Sequence, residues 1–230
     1  MKEFRFAVLQ TVPVFFTYLF IGIAFGVLMD EAGFSAVWTV LAPVLIYAGS
    51  AQLVLVPMIA AGTSLLTIAV TVFFINARHV FYGVAFLERF RSMGRFYPYM
   101  VFSLTDETYS ILCSVQWPED VDTRRASFLI ALLDQCYWIF GCAMGACIGG
   151  LLQLELRGID FSATAFFLVV VVNQWQQSKN HLPAAIGLAS AVVLRLLLGA
   201  DRFLIPALLL SCAVLLLVRA GEKRKEGRTA

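Results

Sequence analysis

The sequence predicts an all-helical protein embedded in a membrane, and two observations carry this prediction. Hydrophobic residues make up 60% of the 230 residues and charged residues only 14%, whereas a soluble domain carries about a quarter charged residues. Arg78 is the one charged residue in the stretch from Ala32 to Leu87. An arginine near the middle of a spanning helix costs roughly 2.5 to 3.5 kcal/mol on insertion scales, so the fold must compensate it.

Eight apolar runs are candidates for membrane crossings, because a spanning helix needs about 20 apolar residues. In order they cover 7–29, 34–62, 64–87, 97–117, 126–154, 161–178, 182–199 and 203–218. The first run is longer than the apolar core of a signal peptide, about 7 to 15 residues, so we expect it to stay in the mature protein. We therefore predict an all-α, polytopic protein with one transmembrane domain over residues 1–220 and a basic cytoplasmic tail over 221–230.

Basic residues cluster at both ends of the chain, with Lys2 and Arg5 before the first run and several more after the last. The positive-inside rule then places both ends in the cytoplasm, which requires an even number of crossings. The loop from Arg89 to Arg95 falls on the opposite side in this count, against the same rule. A second run that breaks or re-enters the membrane would reverse that assignment.

The second run is interrupted near its middle by Tyr-Ala-Gly-Ser-Ala-Gln at residues 47–52, between Pro43 and Pro57. The pattern fits a discontinuous helix, although a contact between small residues of two helices gives a similar sequence. Unwound backbone at membrane depth is tolerated where it faces protein or a watery cavity, and its free N–H and C=O groups can hold a ligand. The residues expected at such a site are Ala48, Gly49, Ser50 and Gln52.

A possible two-fold internal repeat agrees with a discontinuous second run. The repeat compares Gly22, Gly26, 34–36 and 47–52 with Gly145, Gly149, 161–163 and 173–177. Many transporters consist of two related halves whose discontinuous segments meet at a central site. Small residues and phenylalanine are also common in membrane helices without any repeat.

Acidic residues within the apolar runs are the candidates to compensate Arg78. Ten uncharged residues from Phe96 onward precede Asp106, which places Asp106 roughly 15 Å along a helix. A pair between Asp106 and Arg78 either locks helices together or takes part in function, and Glu107 lies beside it. His79, next to Arg78, is either a proton carrier or a hydrogen-bonded structural residue, since histidine titrates near physiological pH.

Asp134 has two interpretations, a hydrated carboxylate at a helix end or a residue at the mouth of an internal cavity with Trp138. We take Asp106, His79 and Asp134 as candidates for a proton relay. The helix of Asp134 repeats small residues at every fourth position, a spacing that brings helices into close contact. The glycines to which we assign a packing role are Gly22, Gly26, Gly141, Gly145 and Gly149.

The sequence contains none of the motifs that several classes of enzyme and metal-binding protein share. The five cysteines make no Cys-x-x-Cys pair and no zinc-ligand spacing. The Gly-x-Ser-x-Gly, His-Glu-x-x-His and Walker motifs are missing. We therefore expect no enzyme activity, no metal, no cofactor and no nucleic-acid partner.

Several of these motifs occur in a fixed order along the chain. They are Pro13 with Gly22 and Gly26, the interruption at 47–52, Asn-Ala-Arg-His at 76–79 with Tyr82, Thr-Asp-Glu at 105–107, and Asp134 with Trp138. In this combination the chain resembles the AzlC family of bacterial branched-chain amino-acid permeases. The resemblance runs from about Phe6 to past Asn173.

The resemblance implies a multi-pass exporter of leucine, isoleucine, valine or analogues in the bacterial inner membrane. It also implies a separate small membrane subunit of the AzlD type, and it adds Asn76 and Tyr82 to the candidate substrate-binding residues. Ion coupling is expected of such a secondary transporter. A transporter of another small organic solute and a non-transporting membrane scaffold or intramembrane enzyme remain the alternatives.

An aliphatic amino acid needs a carboxylate site, an ammonium site and an apolar pocket. We expect the N–H groups of residues 48–52, together with Arg78, to bind the carboxylate. Asp106 or Glu107 would hold the ammonium group or relay a proton. The candidates for the apolar wall are Phe73, Phe74, Phe81 and Tyr82.

Overall fold

The computed structural model describes residues 2–152, 168, 171–172, 175, 180–199 and 203–229. The chain forms two compact units, Met1–Thr63 with Ile75–Thr164 and Ser64–Phe74 with Ala165–Ala230. The predicted division into a domain over 1–220 and a tail over 221–230 stays a prediction. The second copy of the predicted repeat, at 161–163 and 173–177, lies outside the described residues.

The described elements are helices, with no strand among them. The first unit contains α1 (Lys2–Glu31), α2 (Ala36–Leu45), α3 (Gly49–Ala60), α5 (Arg78–Arg91), a 3-10 turn (Gly94–Phe96), α6 (Tyr97–Phe102), α7 (Asp106–Ser114) and α8 (Thr123–Leu152). The second unit contains most of α4 (Leu65–Asn76), with α9 (Leu182–Leu198) and α10 (Leu204–Thr229). The all-helical prediction is confirmed for this part of the chain.

Two of the described helices, α1 and α8, are long and apolar enough to cross a membrane. Each has 30 residues and therefore a length of about 45 Å. The bent pair α4 and α5 gives a third candidate if it counts as one span. The eight predicted crossings stay a prediction, and the sixth predicted run lies largely outside the described residues.

Helices α1 and α8 lie side by side in the same direction and pack through glycines. A Cβ atom at Gly22 would lie 2.9 Å from the backbone nitrogen of Cys142, and one at Gly26 or Gly145 would overlap the backbone of the facing helix. Gly141 faces the backbone of α1 in the same way, and Gly149 faces Asp30. This close contact makes α1 and α8 the frame on which the shorter helices of the first unit are placed.

The second apolar run folds as a helical hairpin, α2 and α3, that turns at residues 46–48. Late α3 residues Val56 and Ile59 share a cavity with Trp38 of early α2 and with Met29 at the end of α1. Both arms therefore meet at the C-terminal end of α1, and the turn lies halfway along that helix. The discontinuity predicted from the sequence is confirmed, since the second run is divided into two helices that fold back on each other.

The fourth apolar run forms a second hairpin, α6 and α7, from the opposite end. Phe96, just before α6, stacks on Phe128 of α8 with 4.5 Å between ring centroids, and Trp117, after α7, packs on Phe6 of α1 at 5.7 Å. The sequence analysis predicted a crossing here, whereas the chain turns back at residues 103–105. The tips of the two hairpins meet, with the rings of Tyr47 and Phe102 6.4 Å apart.

The end of α5 returns to the N-terminal end of α1. Arg89 donates to the hydroxyl of Ser127 in α8 at 3.0 Å, and its guanidinium lies 4.8 Å above the ring of Trp117. At the same end Lys2 pairs with Asp120 at 2.9 Å, and this hydrogen bond and positive charge lower the pKa of Asp120. Arg89 thus lies at the same end of the unit as Lys2, the placement expected if the second run breaks or re-enters.

The glycine contact between α1 and α8 can be tested with two positions of one helix. Gly145→Ala is expected to lower the stability of the purified protein, because overpacking costs about 1 to 3 kcal/mol and the added Cβ meets backbone atoms of α1. Gly150→Ala is the control, since its Cβ would meet nothing within 4 Å. Thermal unfolding in detergent measures both, and an equal melting temperature for Gly145→Ala and wild type would contradict this packing.

Candidate functional site

The N-termini of α3, α5 and α7 converge at one cluster in the middle of the first unit. Arg78, the first residue of α5, donates from Nη2 to the hydroxyl of Ser50 in the first turn of α3 at 2.9 Å. The same Nη2 atom lies 2.7 Å from Oδ2 of Asp106, the first residue of α7. The arginine and the aspartate that the sequence singled out are therefore an ion pair, and the predicted helix interruption lies directly beside them.

The start of α3 leaves backbone donors open at this cluster. The first backbone hydrogen bond runs from the N–H of Gln52 to the carbonyl of Ala48 at 2.8 Å, and no side chain caps the helix. The N–H groups of Gly49, Ser50 and Ala51 precede that bond, as they do at any helix start. Tyr47, in the turn before α3, has a φ of 35°, a conformation that costs about 1 to 3 kcal/mol in a non-glycine residue.

The Arg78–Asp106 pair retains one donor and one acceptor of its own. Arg78 Nε and Asp106 Oδ1 are buried and have no hydrogen-bond partner among the described residues. The two side chains keep 28% and 37% of their surface exposed, so the pair is open on one side. The arrangement can accept a ligand that carries a negative and a positive group close together.

A chain of hydrogen bonds continues from this cluster to the interior. Tyr18 of α1 donates to Glu107 Oε2 at 2.6 Å and lies 3.1 Å from the hydroxyl of Thr105. The Thr105 hydroxyl contacts that of Thr108 at 3.3 Å, and Thr108 donates to Asp134 Oδ2 at 2.7 Å. Two carboxylates on different helices are thus connected through three hydroxyl groups.

Polar side chains of α8 bind the residues on both sides of the turn of the first hairpin. Trp138 Nε1 donates to Gln52 Oε1 at 2.9 Å, and the ring of Trp138 lies 3.4 Å from where a Cβ of Gly49 would be. Gln135 Nε2 donates to the carbonyl of Val44, near the end of α2, at 3.4 Å. These contacts hold the start of α3 in place beside Arg78.

Two apolar cavities flank the cluster. The first, about 210 Å³, lies between α1, α2 and α3, and its lining includes Phe25, Leu41, Gln52 and Val56. Gln52 is 1% exposed, and its Nε2 has no partner among the described residues. The second, about 250 Å³, lies between α5 and α6 and is lined by residues that include His79.

The structure brings most of the predicted site residues together but gives some of them other surroundings. Asp134 is 0% exposed, so the hydrated helix end considered for it is wrong. Asn76 has a buried Oδ1 without a partner among the described residues. Tyr82 stacks on Tyr109 at 4.3 Å and meets the His79 ring edge-on at 5.8 Å.

The predicted apolar wall is less well supported. Phe73 and Phe81 are 67% and 66% exposed, as expected for side chains that face lipid. Sequence reasoning missed Tyr18, Thr105 and Thr108 as functional candidates, because single hydroxyl groups in apolar helices carry no distinctive pattern. The Thr-Asp-Glu-Thr sequence at residues 105–108 was the available signal, since Thr105 caps α7 by accepting from the N–H of Thr108.

Metal binding finds no support in this cluster. No group of three or more histidine, cysteine, aspartate or glutamate side chains that could hold an ion occurs in the described ranges. The interactions that the side chains of this cluster make are charge pairing and hydrogen bonding.

Comparison with known proteins gives a consistent family assignment. The family model described as AzlC protein matches residues 13–152. The chain is 34% identical over 223 residues to the branched-chain amino acid transport protein AzlC of Bacillus subtilis, which covers 97% of this chain and 88% of that protein. No solved structure matches the chain.

Other relatives are described as membrane proteins. An uncharacterized membrane protein of Helicobacter pylori is 33% identical over 219 residues, covering 95% of this chain and 96% of its own. The inner membrane protein YgaZ of Escherichia coli is 29% identical over 214 residues, covering 88% of this chain and 83% of its own. The resemblance drawn from the motifs is confirmed, and the chain is a membrane protein that belongs to the AzlC family.

Proposed function

We propose that the protein is a multi-pass secondary transporter that exports branched-chain amino acids such as valine, leucine and isoleucine across the bacterial inner membrane. It works with a small membrane subunit of the AzlD type, and its export is coupled to an ion. Family membership supports a transport role rather than catalysis, and the Bacillus subtilis relative is named for this class of substrate. The geometry of the site supports the substrate class.

The observation that carries the proposal is the partly exposed Arg78–Asp106 ion pair, in which Arg78 Nε and Asp106 Oδ1 have no hydrogen-bond partner among the described residues. An α-amino acid holds its carboxylate and its ammonium group on one carbon, so it presents opposite charges at short distance. We assign the carboxylate to the guanidinium of Arg78 and the N–H groups at the start of α3, and the ammonium group to the carboxylate of Asp106. Helix N-termini favour anions through their unpaired N–H groups and their dipole.

The cavity between α1, α2 and α3 supplies a pocket for the aliphatic side chain. Gln52, in its wall, belongs to the same first turn of α3 as Ser50, which Arg78 contacts. In this proposal the side chain of a ligand held at Arg78 extends around the start of α3 into the cavity, towards Phe25 and Val56. Its volume of about 210 Å³ exceeds the roughly 150 Å³ of a dry apolar cavity that binds benzene.

The outer surface of the first unit is compatible with the proposed orientation and with a small subunit. Lys2 and Arg89 lie at one end of the first unit, and the positive-inside rule favours the cytoplasm for that end. Phe16 and Phe20 of α1 are 54% and 69% exposed. These side chains form an apolar face that suits both lipid and a small helical subunit.

Substitution of the ion pair tests the binding site. Arg78→Lys and Asp106→Asn are each expected to lower the efflux of preloaded valine by roughly tenfold to a hundredfold, because a hydrogen bond to a charged group contributes about 1.5 to 3 kcal/mol. Lysine keeps the charge but has no counterpart of Nε. Efflux of radiolabelled valine is measured from cells that express the chain with its small subunit.

The control for the ion pair is Arg91→Lys, which changes an exposed arginine at the end of α5. It is expected to transport like wild type. If Arg78→Lys and Asp106→Asn proteins reach the membrane in normal amounts and still export valine at the wild-type rate, the ion pair does not bind the substrate.

Substrate preference tests the proposed side-chain pocket. Val56→Leu adds one methylene to the wall of the cavity and is expected to lower leucine efflux relative to valine efflux by about tenfold, since one methylene in an apolar pocket changes specificity by about 1 to 3 kcal/mol. Val54→Leu makes the same change on the same helix outside the cavity lining and should leave the ratio unchanged. An unaltered leucine-to-valine ratio in Val56→Leu would assign the cavity to lipid or to another subunit.

A further inference from the structure

Two carboxylates share the centre of the first unit without a basic partner. Asp134 is fully buried, and Glu107, next to Asp106 in the first turn of α7, is partly buried. The lysine, arginine and histidine side chains in the described part of the chain form no ion pair with either of them. Two like charges in such a place favour the uptake of a proton by one of them.

The hydrogen-bonded chain between the two carboxylates has one contact more than it has hydroxyl hydrogens, so it can take up one proton. Four contacts connect Glu107 to Tyr18, Tyr18 to Thr105, Thr105 to Thr108 and Thr108 to Asp134. The three hydroxyl groups supply one hydrogen each. When both carboxylates are ionised, Tyr18 donates to Glu107, Thr108 donates to Asp134 and Thr105 donates to Thr108, so the Tyr18–Thr105 contact has no hydrogen.

One added proton completes the chain in either of two ways. With the proton on Glu107, each group donates to the next one as far as Asp134. With the proton on Asp134, every donation runs in the opposite direction and ends at Glu107. Passage between the two states breaks one O–H bond at Glu107 and forms one at Asp134, and each hydroxyl group in between gives up one hydrogen and receives another.

The other titratable groups around the chain are acids and phenols. Asp106 lies beside Glu107, Tyr47 approaches Tyr18 from the turn between α2 and α3, and Tyr99 of α6 faces Asp134. Arg78 is engaged with Asp106 and Ser50. No group that faces the chain from these elements supplies a positive charge to replace the proton.

We infer that the hydrogen-bonded chain from Glu107 through Tyr18, Thr105 and Thr108 to Asp134 binds one proton and passes it between the two carboxylates. Glu107 receives the proton from the side of the substrate site, because it adjoins Asp106 and is partly exposed. Asp134 holds it in the interior. The proton is then the ion that drives export, and this last step rests on the proposed function.

Infrared spectroscopy tests the bound proton without any substrate. The purified protein at neutral pH is expected to show the C=O band of a protonated carboxyl group, and the double variant Glu107→Gln with Asp134→Asn is expected to lose it. Thr39→Val is the matched control, since Thr39 is a buried threonine of α2 that bonds only to the carbonyl of Ser35 in its own helix among the described residues. A wild-type spectrum without the band, or a band that persists in the double variant, would overturn the inference.

Proteoliposomes that contain the chain and its small subunit test the coupling. Thr108→Val and Tyr18→Phe nearly keep the shape of each side chain but remove a hydroxyl group from the hydrogen-bonded chain. A pH gradient should then no longer drive valine accumulation. Valine-for-valine exchange, which needs no net proton movement, should fall far less, and Thr39→Val should retain both activities. Accumulation that persists in Thr108→Val at the wild-type level would contradict the relay.

Failure of the coupling and failure of the proposed substrate give different results. If wild type exchanges valine but a pH gradient has no effect, the proton is not the coupling ion and valine transport stands. If wild type exchanges no valine, the proposed substrate is wrong. The infrared band alone then decides whether the hydrogen-bonded chain between Glu107 and Asp134 binds a proton.

Discussion

The buried charge of Arg78 is the constraint on which the rest of the first unit depends. An arginine at membrane depth needs an opposite charge and hydrogen-bond acceptors, and Asp106 and Ser50 provide them. Each partner lies in the first turn of a helix that starts inside the protein. The guanidinium of Arg78 and the uncapped N-terminal end of α3 both favour a further anion at this cluster. The carboxylate of an amino acid meets that need, while Asp106 remains able to hold its ammonium group.

The two hairpins explain how so many helix ends reach one point. Irregular backbone is tolerated at membrane depth only where protein or a cavity surrounds it, and the parallel pair α1 and α8 provides the surroundings. Tyr18 and Trp138 project from this pair at the height of the hairpin tips, where their rings pack at 5.3 Å. The same two helices bring Tyr18 and Asp134 to the hydroxyl groups of α7. The proposed substrate site and the proposed proton chain are therefore neighbours on the frame of α1 and α8.

Composition and charge placement sufficed to predict the helical membrane class, and the unusual residues at 47–52 predicted one break. The break before Arg78 and the turn at 103–105 were not predicted, because neither has a glycine or proline at the turn itself. The pair of Arg78 with Asp106 could be anticipated, since few charges occur in the apolar runs. Tyr18 and Thr108 could not, because a single hydroxyl group acquires its role only from the helices that pack against it. For the same reason the sequence left Asp134 open between a hydrated helix end and the mouth of an internal cavity, whereas its side chain is fully buried.

Competition with truncated analogues of valine tests the central claim most directly. Isobutylamine lacks the carboxylate of valine, and 3-methylbutanoate lacks its ammonium group, while both keep the branched side chain. If the Arg78–Asp106 pair recognises both charges, unlabelled valine loaded into the cells together with the label lowers the efflux of labelled valine, and neither analogue loaded at the same concentration does so. Inhibition by 3-methylbutanoate or isobutylamine as strong as that by valine would show that the site recognises one charge, and the protein would then be a transporter of organic acids or cations.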